Sequence, residues 1–218
     1  MKKRIIILFL FILSISSCKT DGPYYKLYEP VKEWGDFKEG TWWKYENEET
    51  GEQDCVWIEN NVSDIWSEEI DGKIKESGDY INLYLNNTNL KRKIFMRLSA
   101  GNKGNHFSIR EEDKYGSYSS FYLANLITFD SLLLDSSGES YIKEKFSSFS
   151  LNNLSYNNII HVISIKDDQT NPVLSYDYHS VNEYWIAKYE GIIKKILRNP
   201  FDTVTWSLIG HHIVKDSL

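Results

Sequence analysis

The chain has 218 residues, with 25 Lys and Arg against 31 Asp and Glu and a net charge of −6. That length suits a single domain, and the acidic balance excludes the basic footprint on which nucleic-acid binding depends. Aromatics are abundant (15 Tyr, 10 Phe, 7 Trp) while Met and Pro are scarce, a composition that favours strands.

The first element is an export signal. Met1-Lys2-Lys3-Arg4 is a basic start, Ile5 to Leu13 is wholly apolar, and Ser14-Ile15-Ser16-Ser17 supplies small residues before Cys18. A membrane-spanning helix needs about 18 apolar residues or more, and this run is shorter. The sequence Ile15-Ser16-Ser17-Cys18 resembles the bacterial lipobox, in which the cysteine becomes the lipidated N-terminus of the mature chain. Removal of residues 1–17 would leave 201 residues and shift the net charge from −6 to −9, since three basic residues go with the signal. The resemblance implies a membrane anchor of palmitate-type acyl chains on Cys18, holding a domain that does not itself enter the bilayer. Cys55 is then the remaining thiol, too few for an internal disulfide. Beside Val56-Trp57-Ile58 it reads as a small buried strand residue, and Glu52, Asp54 and Glu59 make a poor setting for a reactive thiolate.

Residues 18–38 read as the lipidated cysteine and a tether, because Asp21-Gly22-Pro23 breaks regular structure and no periodicity follows. The alternative is that Tyr24, Tyr25, Leu27, Tyr28 and Trp34 pack back onto the domain. Residues 39–218 then form one antiparallel β domain. Strands are predicted over 40–46, 54–59 and 65–70, with turns around Glu49 to Glu52 and at Asn60-Asn61. Asp71-Gly72 is the strongest hairpin signal, since both residues tolerate the positive φ of a type I′ turn. Further strands are expected at Lys73–Lys75, Tyr80–Leu85, Lys93–Leu98 and His106–Ile109, with Gly101 to Asn105 as turn chemistry. Residues 120–134 are ambiguous between strand and a short helix. Asn158–Lys166, Tyr184–Tyr189, Ile192–Leu197 and Thr203–Val214 complete the set, and Gly191 marks a bulge or sharp bend. Short strands at close, regular spacing predict a mainly β fold, a curved antiparallel meander, sandwich or barrel, with one or two short helices at most.

Two segments carry a family resemblance. Phe37-Lys38-Glu39-Gly40-Thr41-Trp42-Trp43-Lys44-Tyr45 is similar to the opening strand, and Tyr184-Trp185-Ile186-Ala187-Lys188-Tyr189-Glu190-Gly191-Ile192-Ile193-Lys194 with Trp206-Ser207-Leu208 to the closing strands, of uncharacterised envelope lipoproteins from Bacteroidota-type bacteria. The family's usual proline is absent from the first, and Tyr189 replaces a glycine in the second. The resemblance covers about a third of the chain and implies a curved antiparallel sheet of the half-barrel kind, held at the outer membrane, but no reaction. Asp130-Ser131-Leu132, Asp202-Thr203-Val204 and Asp216-Ser217-Leu218 also resemble the O-glycosylation tripeptide of such bacteria.

The chemistry is sparse. His211 and His212 would point to opposite faces of a strand, whereas His161 and His179 lie on segments that could pair. Neither pair sits in a metal-binding motif, and the catalytic signatures of hydrolases, zinc proteases and nucleotide-binding loops are missing. No metal or cofactor is expected. Trp42, Trp57, Trp66, Trp185 and Trp206 are the candidate ligand-facing residues; lining a concave sheet, they would receive a lipid chain or stack on a sugar. The alternative is that they fill the core. The sequence therefore points to a lipid-anchored, non-catalytic binding or structural module whose partner is a protein, glycan or lipid. A carrier of apolar ligands in a half-barrel hollow is the alternative, and an envelope-polymer hydrolase the remote one. The membrane face to which the domain is displayed is left open.

Overall fold

The computed structural model describes residues 22–88, 93–102, 104–112, 118–123, 140–167, 179–199 and 202–214. Among these residues it is almost all antiparallel strand, with one single-turn helix. In chain order the elements are β1 (Tyr24–Tyr25), α1 (Glu29–Lys32), β2 (Trp42–Asn47), β3 (Gln53–Ile70), β4 (Lys73–Asn87), β5 (Lys93–Gly101) and β6 (Gly104–Glu112). Then follow β7 (Tyr118–Leu123), β8 (Ser140–Leu151), β9 (Leu154–Asp167), β10 (His179–Ala187), β11 (Gly191–Asn199) and β12 (Asp202–His212).

The strands form one curled sheet in the order β7-β6-β5-β4-β3-β2-β12-β11-β10-β9-β8, with β1 added in parallel beside β4. Each strand pairs with its neighbour in sequence except at the middle, where β2 lies beside β12. Two meander arms thus leave a central seam, and the curl brings β7 back against β8 and β9. This is the predicted half-barrel. Side chains alternate across it at period two. In β2, Trp43, Tyr45 and Asn47 are buried while Trp42, Lys44 and Glu46 face out. The concave face carries the core, including Ile58, Leu83, Leu98, Ile109, Val162, Tyr184, Ile186 and Leu208.

Turn chemistry accounts for the reversals. Asp71 and Gly72 take φ of 52° and 69°, as the hairpin signal requires. Asn152 and Asn153, with φ of 50° and 64°, make a second such turn between β8 and β9, which the sequence reading passed over together with β8 itself. Asn60-Asn61 is not the expected turn. β3 runs through it unbroken for 18 residues, and the extra residue near Glu59 is absorbed by a bulge between Ile58 and Asn60. Asn61 is satisfied from outside the sheet instead, its side chain donating to the Phe37 carbonyl at 2.7 Å. Gly191 is the sharp bend rather than the bulge: it opens β11 at φ 85° directly after a turn, and a Cβ there would lie 3.1 Å from Trp43 Nε1. Of the ambiguous 120–134 stretch, Ser120 to Leu123 is strand and the remainder lies outside the described residues.

The tether expectation is corrected for residues 22–38. Leu27, Val31, Trp34 and Phe37 are buried in the core, each contributing about 1.5–3 kcal/mol by leaving water. This strap crosses from one arm of the sheet to the other. Leu27 N–H donates to Asp79 at 2.9 Å and Tyr28 N–H to Asn105 at 3.0 Å. A Cβ on Gly35 would lie 2.9 Å from the Phe107 ring, and Phe37 meets Trp43 edge-on at 5.1 Å. At its far end Tyr189 N–H donates to the Glu33 carbonyl at 2.8 Å. Cys18 lies outside the described residues.

Candidate functional site

Period-two alternation sorts the five candidate tryptophans onto two faces. Trp206, on β12 opposite Asn47, lies on the concave face and is 3 % exposed. The other four lie on the convex face. Trp42 is 37 % exposed, sits directly across from Trp57 on β3, and stacks on His212 at 6.4 Å. Trp66 is half-buried beside Gly78 and donates its indole N–H to the Ala100 carbonyl at 2.8 Å. Trp185 stacks on His161 at 4.0 Å with the rings 14° from parallel, and the Lys194 ammonium lies 5.9 Å from its indole ring. The five therefore share no concave lining.

The histidines separate in the same way. His211 pairs with Glu190 at 2.5 Å while His212 faces Trp42, so the two adjacent side chains diverge as a strand requires. His161 is in register with Trp185, and His179 with Asp167 six positions along β9. The imagined shared site does not form. Among the described residues, no three of His, Cys, Asp and Glu gather closely enough to hold a metal ion. Cys55 is half-exposed rather than buried, because it alternates with buried Asp54 and Val56 and so faces outward. Burial and the Asp54 charge push its thiol up despite Lys44, which keeps it protonated near neutral pH.

The concave face holds a feature that the sequence reading missed. A cavity of about 20 Å³ is lined by Trp43, Tyr45, Val56, Leu85, Ile94, Met96, Ile109, Ile192 and Lys195. That is room for about one water. Lys195, 3 % exposed, carries its ammonium 5.5 Å from the centre of the Tyr45 ring. The sequence Lys194-Lys195 shows no reason to bury either lysine. The bulge opposite Trp185 and Ile186 shifts the register of β11 and turns the second one inward. A larger opening, about 310 Å³, lies on the surface between the strap and the β3–β4 ribbon, with Leu27 and Lys32 on one side and Asp64, Ile65 and Tyr80 on the other.

The convex face of β9 to β12 carries two linked charge groups. Glu183 accepts from His161 Nε2 at 2.7 Å and from Arg198 at 2.6 Å. Burial works to raise the Glu183 carboxyl, but Arg198 and His161 together hold it below the usual range. Burial pushes His161 down against the pull of Glu183, so the imidazole is neutral and its Nε2–H is the donor to the carboxylate. Alongside, Glu48 accepts from Ser207 and from Lys194 at 3.0 Å, and the Ser207 hydrogen bond, reinforced by Lys194, holds it below the usual range against burial. Each carboxylate already receives a cation and a second donor. Neither is poised to take a proton from a substrate. Compared with known proteins, the chain matches no family model, no curated protein and no solved structure.

Proposed function

We propose that this chain is a lipid-anchored cell-envelope protein, held at the outer membrane through Cys18, whose β domain is a non-catalytic binding or structural module of the kind its opening and closing strands resemble. The observation that supports this reading is the packed concave face. The cavity of about 20 Å³ falls far short of the roughly 300–1,000 Å³ of ordinary ligand pockets, and Leu27, Val31, Trp34 and Phe37 of the strap pack into the same core. A partner would meet the outside of the sheet, where Trp42, Trp57 and His212 form an aromatic band next to charged side chains. Protein and glycan both suit such a surface.

Cell fractionation tests the anchor. The full chain is expected in the membrane fraction with incorporated palmitate, and Cys18→Ser is expected to lose both; equal partition of the two proteins would sink the lipoprotein reading. Native mass spectrometry after mild extraction tests the module. The expected mass is that of polypeptide plus anchor, whereas a retained second acyl ligand would favour the carrier reading, which needs the core to part. Release of soluble fragments from isolated envelope polymers would instead favour a hydrolase.

A further inference from the structure

The strap enters the fold at a defined point and in a defined direction. β1 runs parallel to β4, with Tyr24 opposite Ser77 and Tyr25 opposite Gly78, so the chain before it heads back toward the β3–β4 hairpin. Gly22 N–H donates to the Ile74 carbonyl at 2.9 Å, and Ser77 N–H to the Pro23 carbonyl at 3.0 Å. The approach is so close that a Cβ on Gly22 would overlap the Lys75 carbonyl oxygen. Cys18 precedes Gly22 by four residues. Four residues span at most about 14 Å, whatever their conformation. The Asp71-Gly72 tip is about 7 Å of strand beyond Ile74.

That tip stands clear of the rest of the sheet. β5 ends at Gly101 and pairs with β4 from Tyr80 onward, while β2 pairs with β3 no further than Trp57. Among the described residues, the ribbon from Ser67 to Glu76 has its own two strands and the segment leading into β1 for neighbours. It carries an apolar side chain into solvent all the same: Ile70 at the tip is 46 % exposed, while Ile65, 57 % exposed, lies five residues back on the other face of the ribbon. Around Ile70 stand Glu68, Glu69, Asp71 and Glu76 with Lys73 and Lys75, a ring of charge that can rest among headgroups but not in hydrocarbon.

Resting on the anchor reading of Cys18, we infer that the β3–β4 hairpin tip is the membrane-facing end of the domain, with Ile70 seated in the interfacial layer of the bilayer that holds the chain's own lipid. The domain is then oriented rather than free to swing, because at most about 14 Å of chain separates the anchor from Gly22. The β2–β3 turn at Thr50 points the other way, separated from the tip by roughly 55 Å along β3.

The test uses the full lipidated chain in phosphatidylcholine vesicles containing headgroup-level nitroxide lipid. A fluorophore is placed at Lys73→Cys or at Thr50→Cys, each in a Cys55→Ser background. Co-sedimentation with vesicles, lost in Cys18→Ser, checks the anchor separately; a lipidated chain that stays in the supernatant overturns that reading and the inference with it. If the protein co-sediments, quenching at Lys73 and little at Thr50 supports the inference. Equal quenching at the two positions, or stronger quenching at Thr50, overturns it. A flexible Gly/Ser insertion of about ten residues between Asp21 and Gly22 is expected to leave co-sedimentation unchanged while quenching at Lys73 falls to the Thr50 level. Undiminished quenching with the insertion overturns the claim that the short span sets the orientation.

Discussion

Trp42 and Trp43 are adjacent in the chain and lie on opposite sides of the sheet. Trp43 is 2 % exposed, packs against Phe37 and donates its indole N–H to the Glu190 carbonyl at 2.6 Å. Trp42 lies over the convex surface against His212. The contrast extends along both faces. The concave side is an apolar core that ties distant segments together, as when Tyr45 donates to the Ile192 carbonyl at 2.9 Å. The convex side over β9 to β12 carries charged pairs and stacked rings. One face holds the molecule together, and the other is the face we propose for recognition.

Truncating the two residues should separate these roles most sharply. Trp43→Ala removes a buried ring and orphans the Glu190 carbonyl, with an expected loss of about 3–5 kcal/mol. Trp42→Ala should cost under about 1 kcal/mol, as surface changes do. Paired urea titrations measure both, and a similar loss for the two would erase the distinction. Gly191→Ala comes next. Its positive φ and the nearby Trp43 indole imply a loss of about 1–3 kcal/mol, read from the same titration.

The strap offers a third, pH-dependent contrast. Burial works to raise the Glu33 carboxyl, but Lys188 at 2.5 Å and the Tyr189 hydroxyl at 2.6 Å hold it below the usual range. A carboxyl depressed in the folded state contributes stability above its ordinary range, and that stability is lost as pH falls through the folded value. Hydrogen exchange over residues 22–38 should therefore quicken on acidification below the ordinary carboxylate range. Glu33→Gln should quicken exchange already at neutral pH and flatten its dependence on acid; an unaltered profile would remove Glu33 from the clamp. The smallest effect is expected at Cys55, whose raised thiol should alkylate slowly at neutral pH and faster as pH climbs. Rapid labelling near neutrality would count against the surroundings described for it.

Much of the fold was legible because it is written locally. Asp71-Gly72 announces its turn through the backbone freedom of those two residues, and the alternation Trp43, Tyr45, Asn47 announces a one-sided strand. Asn152-Asn153 carried the same kind of signal and could have been read as a hairpin. Other features left no local trace. Asn60-Asn61 looks like a turn, and it stays in the strand because Phe37 and Glu39, from another part of the chain, take its hydrogen bonds. Lys195 looks like any surface lysine until a bulge two residues before it in β11 sets its direction, beside Trp206.

By itself, the amino-acid sequence determined the β class, the main hairpin turn and the opposite facing of neighbouring aromatics. Each depends on a few contiguous residues and on backbone geometry with a fixed period. The tertiary structure alone decided that β2 closes against β12, that the would-be tether is a strap in the core, and that four of five candidate tryptophans face outward. Those outcomes depend on which surfaces meet after the sheet has curled, and burial of Leu27, Trp34 and Phe37 becomes favourable only once Phe107 and Trp43 are in place to receive them.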